Sequence, residues 1–433
     1  MAIIIISISM TQNITRFFSR MDIKVETMIK PSILKNKIQE YAWGSFSHIQ
    51  QLLGAKGKAG TPWAELWMGA HPKAPSEIKI NGSWAPLDMV IEKNPEATVG
   101  KTTCGKFGPA LPFLFKALAA GRPLSIQAHP DEAQAKEGFE RENRLKIPID
   151  APFRNYRDDR HKPECICALT PFTAINGFRA SETILSAISS ICPETLGDKI
   201  SRAGRMPEED AIRFIFEFLL RIEDDLRKKV ISETIATATQ ADTVEKKWIL
   251  QLHEQYPDDI GILSPVILNL VTLQPGEAMF LPARRLHAYF DGFGIELMAN
   301  SDNVLRGGLT PKHIDVDELL NVLDFSPAPI EILHPMETGT CERPYPVMAE
   351  EFRLSVIKPE PIKPEPIKPG QACSFSNSSG PEILFCVEKE CLLEFPEPLL
   401  PAWIHKGDSV FIPACVMNYN ISGTGQIYRA QVP

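Results

Sequence analysis

The sequence predicts a mainly β protein with an α-helical insert, built as two related β-barrels plus a helical domain. Three observations carry this. Short apolar runs ended by Pro or Gly recur up to about residue 180 and return after residue 265. Between them the apolar residues switch to helical spacing. One pattern, a turn with Gly and an acidic residue followed by an apolar run and Pro, occurs twice, at residues 274–282 and 404–413.

Residues 63–69 and 124–129 read as strands, each closed by a breaker, and 113–120 reads as another. Gly121, Arg122 and Pro123 turn that run into the next. Pro130, Asp131 and Glu132 open a helix with an acidic first turn. In residues 181–255 the style changes: Ile212, Ile215, Phe216, Leu219, Leu220 and Ile222 share helical spacing behind Pro207. This insert holds no chemical constellation and reads as scaffold. Strands resume at 265–273, and the Pro275-Gly276 turn leads into another ended by Pro282. The copy at 404–413 lacks a counterpart of His287, so the second barrel is expected to be metal-free.

The implied division is an extension at 1–28, a metal-binding barrel from 29–180 and 260–335, a helical insert at 181–259, and a second barrel at 336–433. The extension is expected to be disordered or to precede the true start at Met10, Met21 or Met28. Its positive charges follow its apolar run, the reverse of a signal peptide. The second barrel contains a Pro-rich loop at 357–370, whose five-residue repeat favours a stiff polyproline II rod.

Composition narrows the function classes. The 433 residues are 44% hydrophobic and 23% charged, a globular mixture, with net charge 46 − 54 = −8. No basic stripe suggests a nucleic-acid partner, and no apolar run reaches the length of a membrane span. Nine cysteines without a C-x-x-C pair argue against a disulfide framework and for the cytoplasm.

Gln127 and His129 are two apart on a strand, so both project to one face. Lys162 and Glu164, and His287 and Tyr289, repeat that spacing. Gln127, His129, Glu164 and His287 therefore form a candidate set of N and O donors for a divalent ion such as zinc. Against this stands the ordinary case, a strand histidine satisfied within a core. Cys165 and Cys167 fall on the face opposite Glu164 and read as buried inert thiols. Glu296 and Asn300 share one face, as a pocket wall would. Arg306, before two glycines, reads on its own as a charged turn.

Five ordered motifs add to this: residues 41–44 (YAWG), 65–71 (ELWMGAH), 124–131 (LSIQAHPD), 155–164 (NYRDDRHKPE) and 300–307 (NSDNVLRG). Together they closely resemble the type I mannose-6-phosphate isomerase family, strongly from about residue 29 to 325 and more weakly beyond. The resemblance implies two cupin (jelly-roll) barrels and a helical domain, with one zinc ion per chain on Gln127, His129, Glu164 and His287. It places the family's active-site arginine on Arg306 and further pocket positions on Ser125, Lys162, Glu296 and Lys312. The implied activity is zinc-dependent interconversion of mannose 6-phosphate and fructose 6-phosphate through an enediol(ate), in a protein expected to be a monomer acting on a small sugar phosphate. Two rivals are a non-haem iron oxygenase using His129, Glu164 and His287, and a sugar-binding regulator that lost turnover.

Overall fold

The computed structural model describes residues 29–55, 57, 60–240, 242–359, 372–376 and 380–433. The extension at 1–28 and the Pro-rich loop from residue 360 onward lie outside the described residues.

The strand His287–Ala299 organises the first barrel. It is 13 residues long and pairs with four others: Phe113–Ala120, Ile126–Ala128, Glu164–Ala168 and Phe172–Phe178. It serves both walls because its register shifts between Tyr289 and Asp291, and the chain then bends at Gly292. Gly292 has φ +129°, and a Cβ there would lie 2.7 Å from the Pro171 carbonyl oxygen, so only glycine fits. His287 thereby lines one wall and Glu296 the other. Leu118, Ile166, Phe172, Met279, Leu281 and Tyr289 fill the interior beneath them.

The helix Glu132–Arg144 begins with a capping box. Asp131 Oδ1 accepts from the Gln134 amide, and Gln134 Oε1 accepts from the Asp131 amide. Pro130 therefore lies just before the cap rather than inside the helix. Gly138 on this helix faces the Tyr156 ring so closely that a Cβ would sit 2.4 Å away. That contact, with the Tyr156 amide donating to Glu142, seats the start of the 155–164 segment on this helix.

The insert comprises Ser181–Ile191, Pro193–Ala203, Glu208–Leu220, Asp224–Ala238 and Val244–Gln255. Ile212, Ile215, Phe216 and Leu219 are buried, and Phe216 packs edge-on to Phe178 of the barrel. Residues 265–267, expected to begin a strand, instead complete a helical turn, Ser264–Ile267. Pro265 occupies its first turn, where a missing N–H costs nothing, and the strand starts at Leu268.

The two Gly-turn units do recur, but neither is a hairpin. Leu268–Leu273 pairs with Phe172–Phe178, whereas Ala278–Leu281 pairs with Glu164–Ala168. Ala402–His405 pairs with Glu390–Glu394, whereas Ser409–Ile412 pairs with Glu382–Glu388. In both barrels the turn carries the chain from one wall to the other.

The C-terminal barrel packs a six-stranded against a four-stranded sheet. Ser32–Ile33 pairs with Ser409–Ile412, so the first described strand belongs to the C-terminal sheet and covers its edge. Its interior holds a paired ion cluster in which Arg429 meets Glu382 at 2.5 Å and Glu342 at 2.9 Å. Phe352, Tyr345 and Tyr428 face the first barrel across a shared apolar layer. The cysteine expectation needs one amendment: Cys341 and Cys373 are disulfide-bonded, while the other seven are free thiols.

Candidate active site

His129, Glu164 and His287 converge inside the first barrel. All three are buried, and their ligand atoms lie within 4.8 Å of one another. His129 follows the strand Ile126–Ala128, Glu164 opens the strand Glu164–Ala168, and His287 opens the long strand.

The surroundings fix both imidazoles. His129 Nδ1 lies 2.7 Å from the Asn303 carbonyl and His287 Nδ1 lies 3.0 Å from the Arg285 carbonyl. A carbonyl only accepts, so each Nδ1 carries the proton and each Nε2 presents a lone pair. Those nitrogens stand 3.3 Å from Glu164, yet without hydrogen-bond geometry. His129 Nε2, His287 Nε2 and Glu164 Oε2 are thus buried with no hydrogen-bond partner. Orphaned polar atoms in a closed interior are costly, and three of them aimed at one point fit a shared cation.

Protonation suits the same purpose. Burial, followed by the Lys162 charge, pushes His129 down to about 4, so it is neutral near pH 7. Burial favours the neutral form of Glu164, but Lys162 and His129 outweigh it and hold the carboxyl well below its usual range. Lys162 Nζ is 3.1 Å from Glu164 Oε1.

Gln127 lies directly across the strand pair from His287 and, on its other side, from Arg306. Arg306, Gln127 and His287 therefore form one row on one face. Ser125 is half-buried two residues before Gln127. Lys312 is exposed beyond the Arg306 strand. Burial and the neighbouring Arg157 charge depress the Arg306 pKa, and burial with Arg306 and Arg157 depresses that of Lys312. Among the described residues, none of these three cations has an ion-pair partner. Arg157, Arg306 and Lys312 lie near enough for their charges to act on one another, an arrangement suited to an anion.

Glu296 is buried within electrostatic reach of Glu164, and the Asn300 amide donates to the Leu111 carbonyl. Glu296 is tied to Lys116, whose Nζ is 2.8 Å from Glu296 and 3.5 Å from Glu65. Trp67 Nε1 donates to Glu65 at 2.6 Å, and the Lys116 ammonium lies over the Trp67 ring. Burial, then the charges of Glu164 and Glu65, raise the Glu296 pKa against the pull of Lys116. The Tyr289 hydroxyl is also buried beside this group without a hydrogen-bond partner. Sequence reasoning missed Lys116, Glu65, Tyr289 and Arg157 as site residues. For Lys116 a signal existed: it is the lone charge in the otherwise apolar strand Phe113–Ala120.

With this geometry in hand, comparison with known proteins is decisive. The family description "Phosphomannose isomerase type I, catalytic domain" matches residues 32–181, and "Phosphomannose isomerase type I, helical insertion domain" matches residues 191–268. Mannose-6-phosphate isomerase from Salmonella typhimurium is 40% identical over 92% of this chain and 98% of its own length. The chain belongs to the type I phosphomannose isomerases.

The rat mannose-6-phosphate isomerase is 39% identical over 67% of this chain and 72% of its own. A zinc-bound crystal structure of mannose 6-phosphate isomerase superposes with TM-score 0.85 at 38% identity, covering 93% of this chain and all of that one (100%). A mutant phosphomannose isomerase from Salmonella typhimurium gives TM-score 0.86 with the same coverage, 93% and 100%. The protein is therefore an isomerase enzyme of the two-barrel cupin type with a helical insert, which sets the oxygenase alternative aside.

Proposed function

We propose that this phosphomannose isomerase interconverts mannose 6-phosphate and fructose 6-phosphate through an enediol(ate), with one zinc ion held by Gln127, His129, Glu164 and His287. The observation that carries this reading is the set of three buried, partnerless ligand atoms beside a cluster of unpaired cations. A bound divalent ion supplies Lewis-acid stabilisation of the oxygen that becomes negative.

The chain's own residues divide the remaining work. Arg157 and Lys312 hold the phosphate. Arg306, on the row with Gln127 and His287, sets fixed positive charge toward the reacting carbons. Isomerisation removes the proton at C2 and returns one to C1, while the carbonyl moves from C1 to C2. Glu296 takes the proton, since its raised pKa brings it nearer neutrality. Lys162 is buried next to Glu164 and is the nearby donor. Ser125 lines the sugar side.

Among the described residues, no helix is long and apolar enough to cross a membrane. The seven free thiols support a cytoplasmic setting.

Two measurements test the reading. A coupled assay on zinc-loaded protein should convert mannose 6-phosphate and lose activity on chelation without consuming oxygen. Turnover in deuterium oxide should place deuterium at C1 of fructose 6-phosphate. Complete transfer of a C2 label to C1 with no solvent exchange contradicts the enediol(ate) and indicates a hydride shift.

A further inference from the structure

We infer that the C-terminal barrel positions the strand bearing Glu164, with Glu351 acting through His161; this rests on the role of Lys162 and Glu164 proposed above. Glu164 lies three residues after His161 and three before Cys167. One stretch of the C-terminal barrel, residues 345–351, holds both positions.

At the near end, His161 Nε2 is 2.7 Å from Glu351 Oε1. At the far end, Cys167 Sγ is 3.1 Å from the Tyr345 hydroxyl and 3.5 Å from that of Tyr428. The Tyr345 hydroxyl also donates to the Gly276 carbonyl at 2.9 Å, closing the clamp on the neighbouring turn. Glu351 is a buried carboxylate with 9% exposure, and its second oxygen lacks a hydrogen-bond partner. A surface charge placed only for solubility would stay hydrated; this one is desolvated against the loop that leads into Lys162 and Glu164.

Between the clamps the backbone has little slack. Pro163 has a fixed φ, and its carbonyl accepts from the Ala299 amide at 3.0 Å. The Arg160 carbonyl accepts from Asn303 Nδ2 at 2.8 Å, so releasing His161 loosens the short stretch between Arg160 and Pro163 that carries Lys162, and with it the 3.1 Å contact to Glu164. The Arg157 amide donates to Asn303 Oδ1 at 2.7 Å, a contact in which neither Glu351 nor the His161 side chain takes part. Glu351 is thus a positioning residue for the reacting end of the site and not for the phosphate end.

The test uses the full-length zinc-loaded enzyme and four variants: Glu351→Ala, Glu351→Gln, His161→Ala and the double alanine. Glu351→Ala should lower kcat about tenfold, the usual scale for support of a metal ligand. KM for mannose 6-phosphate should stay within about twofold. Glu351→Gln, which keeps the hydrogen bond, should recover most of kcat. The double variant should be no worse than either single, because both remove one contact. Glu350→Ala, which removes only the exposed pair with Lys106 from the same stretch, should keep the parent kcat. Should Glu351→Ala fail to fold, the cycle is run with Glu351→Gln and His161→Gln, again expecting non-additive losses. An unchanged kcat, additive losses, or an equal loss in Glu350→Ala overturns the clamp. A parent enzyme that binds no zinc and does not isomerise overturns the functional reading instead.

Discussion

Lys162 Nζ stands 3.1 Å from Glu164 Oε1, with only Pro163 between the two residues in sequence. The buried ammonium keeps the carboxylate charged where burial alone would neutralise it. The same ammonium, with burial, keeps His129 uncharged. One lysine thus keeps one candidate ligand anionic and its neighbour neutral.

This arrangement makes the metal-free protein acid-sensitive. Burial pushes His129 down to about 4 from the ordinary 6.5, so between those values the unfolded chain binds a proton that the folded chain refuses. Stability therefore falls as pH falls through that window, by roughly 3 kcal/mol in all. The depressed Glu164 acts in the same direction: its contribution is present above the unfolded carboxylate pKa and is lost as pH drops through its folded value. Urea unfolding of the metal-free protein should show midpoints declining from pH 7 to 4. His129→Gln should flatten the upper part of that decline, and an unchanged slope contradicts the assignment.

Arg306 should separate charge stabilisation from phosphate binding. Arg306→Ala is expected to lower kcat by about 10²-fold and leave zinc bound. Arg306→Lys should recover little, because the planar fork is lost. Arg157→Ala and Lys312→Ala should instead mainly raise KM. Steady-state kinetics with metal analysis reads both, and an Arg306→Ala effect confined to KM would make it a phosphate anchor.

Lys116 compensates two buried carboxylates, Glu65 and Glu296. Lys116→Met should destabilise the fold by about 3–5 kcal/mol, the scale for removing one partner of a buried pair. Adding Glu296→Gln should recover part of that loss, since one of the stranded charges is gone. Thermal melting of the two variants decides it: a double variant less stable than the single would contradict the pairing.

The convergence of His129, Glu164 and His287 was legible because strand alternation and motif spacing are local properties. The two-residue interval between Gln127 and His129 predicts a shared face, and the helical spacing of Ile212, Ile215 and Leu219 announces the insert. What stayed hidden is non-local. The Pro275-Gly276 turn is legible between two strands, but not that those strands pair with different partners, a choice set by barrel closure. Ser32–Ile33 joins the C-terminal barrel across most of the chain. Arg157 looks like one charge in a charged loop until its unpaired neighbours Arg306 and Lys312 are brought beside it by folding. Glu351 meets His161 from another barrel, and no spacing rule connects them.

Glu164, as the sole anionic member of the proposed ligand set, is expected to anchor a zinc ion required for isomerisation. The direct measurement is zinc content and mannose 6-phosphate turnover of Glu164→Ala beside the parent, both prepared without chelator. Circular dichroism would confirm that the helical insert remains folded. The parent should carry about one zinc per chain, and the variant should lose both metal and turnover because nothing offsets the ion's charge in a desolvated site. A folded Glu164→Ala variant with stoichiometric zinc and near-parental kcat would contradict the account.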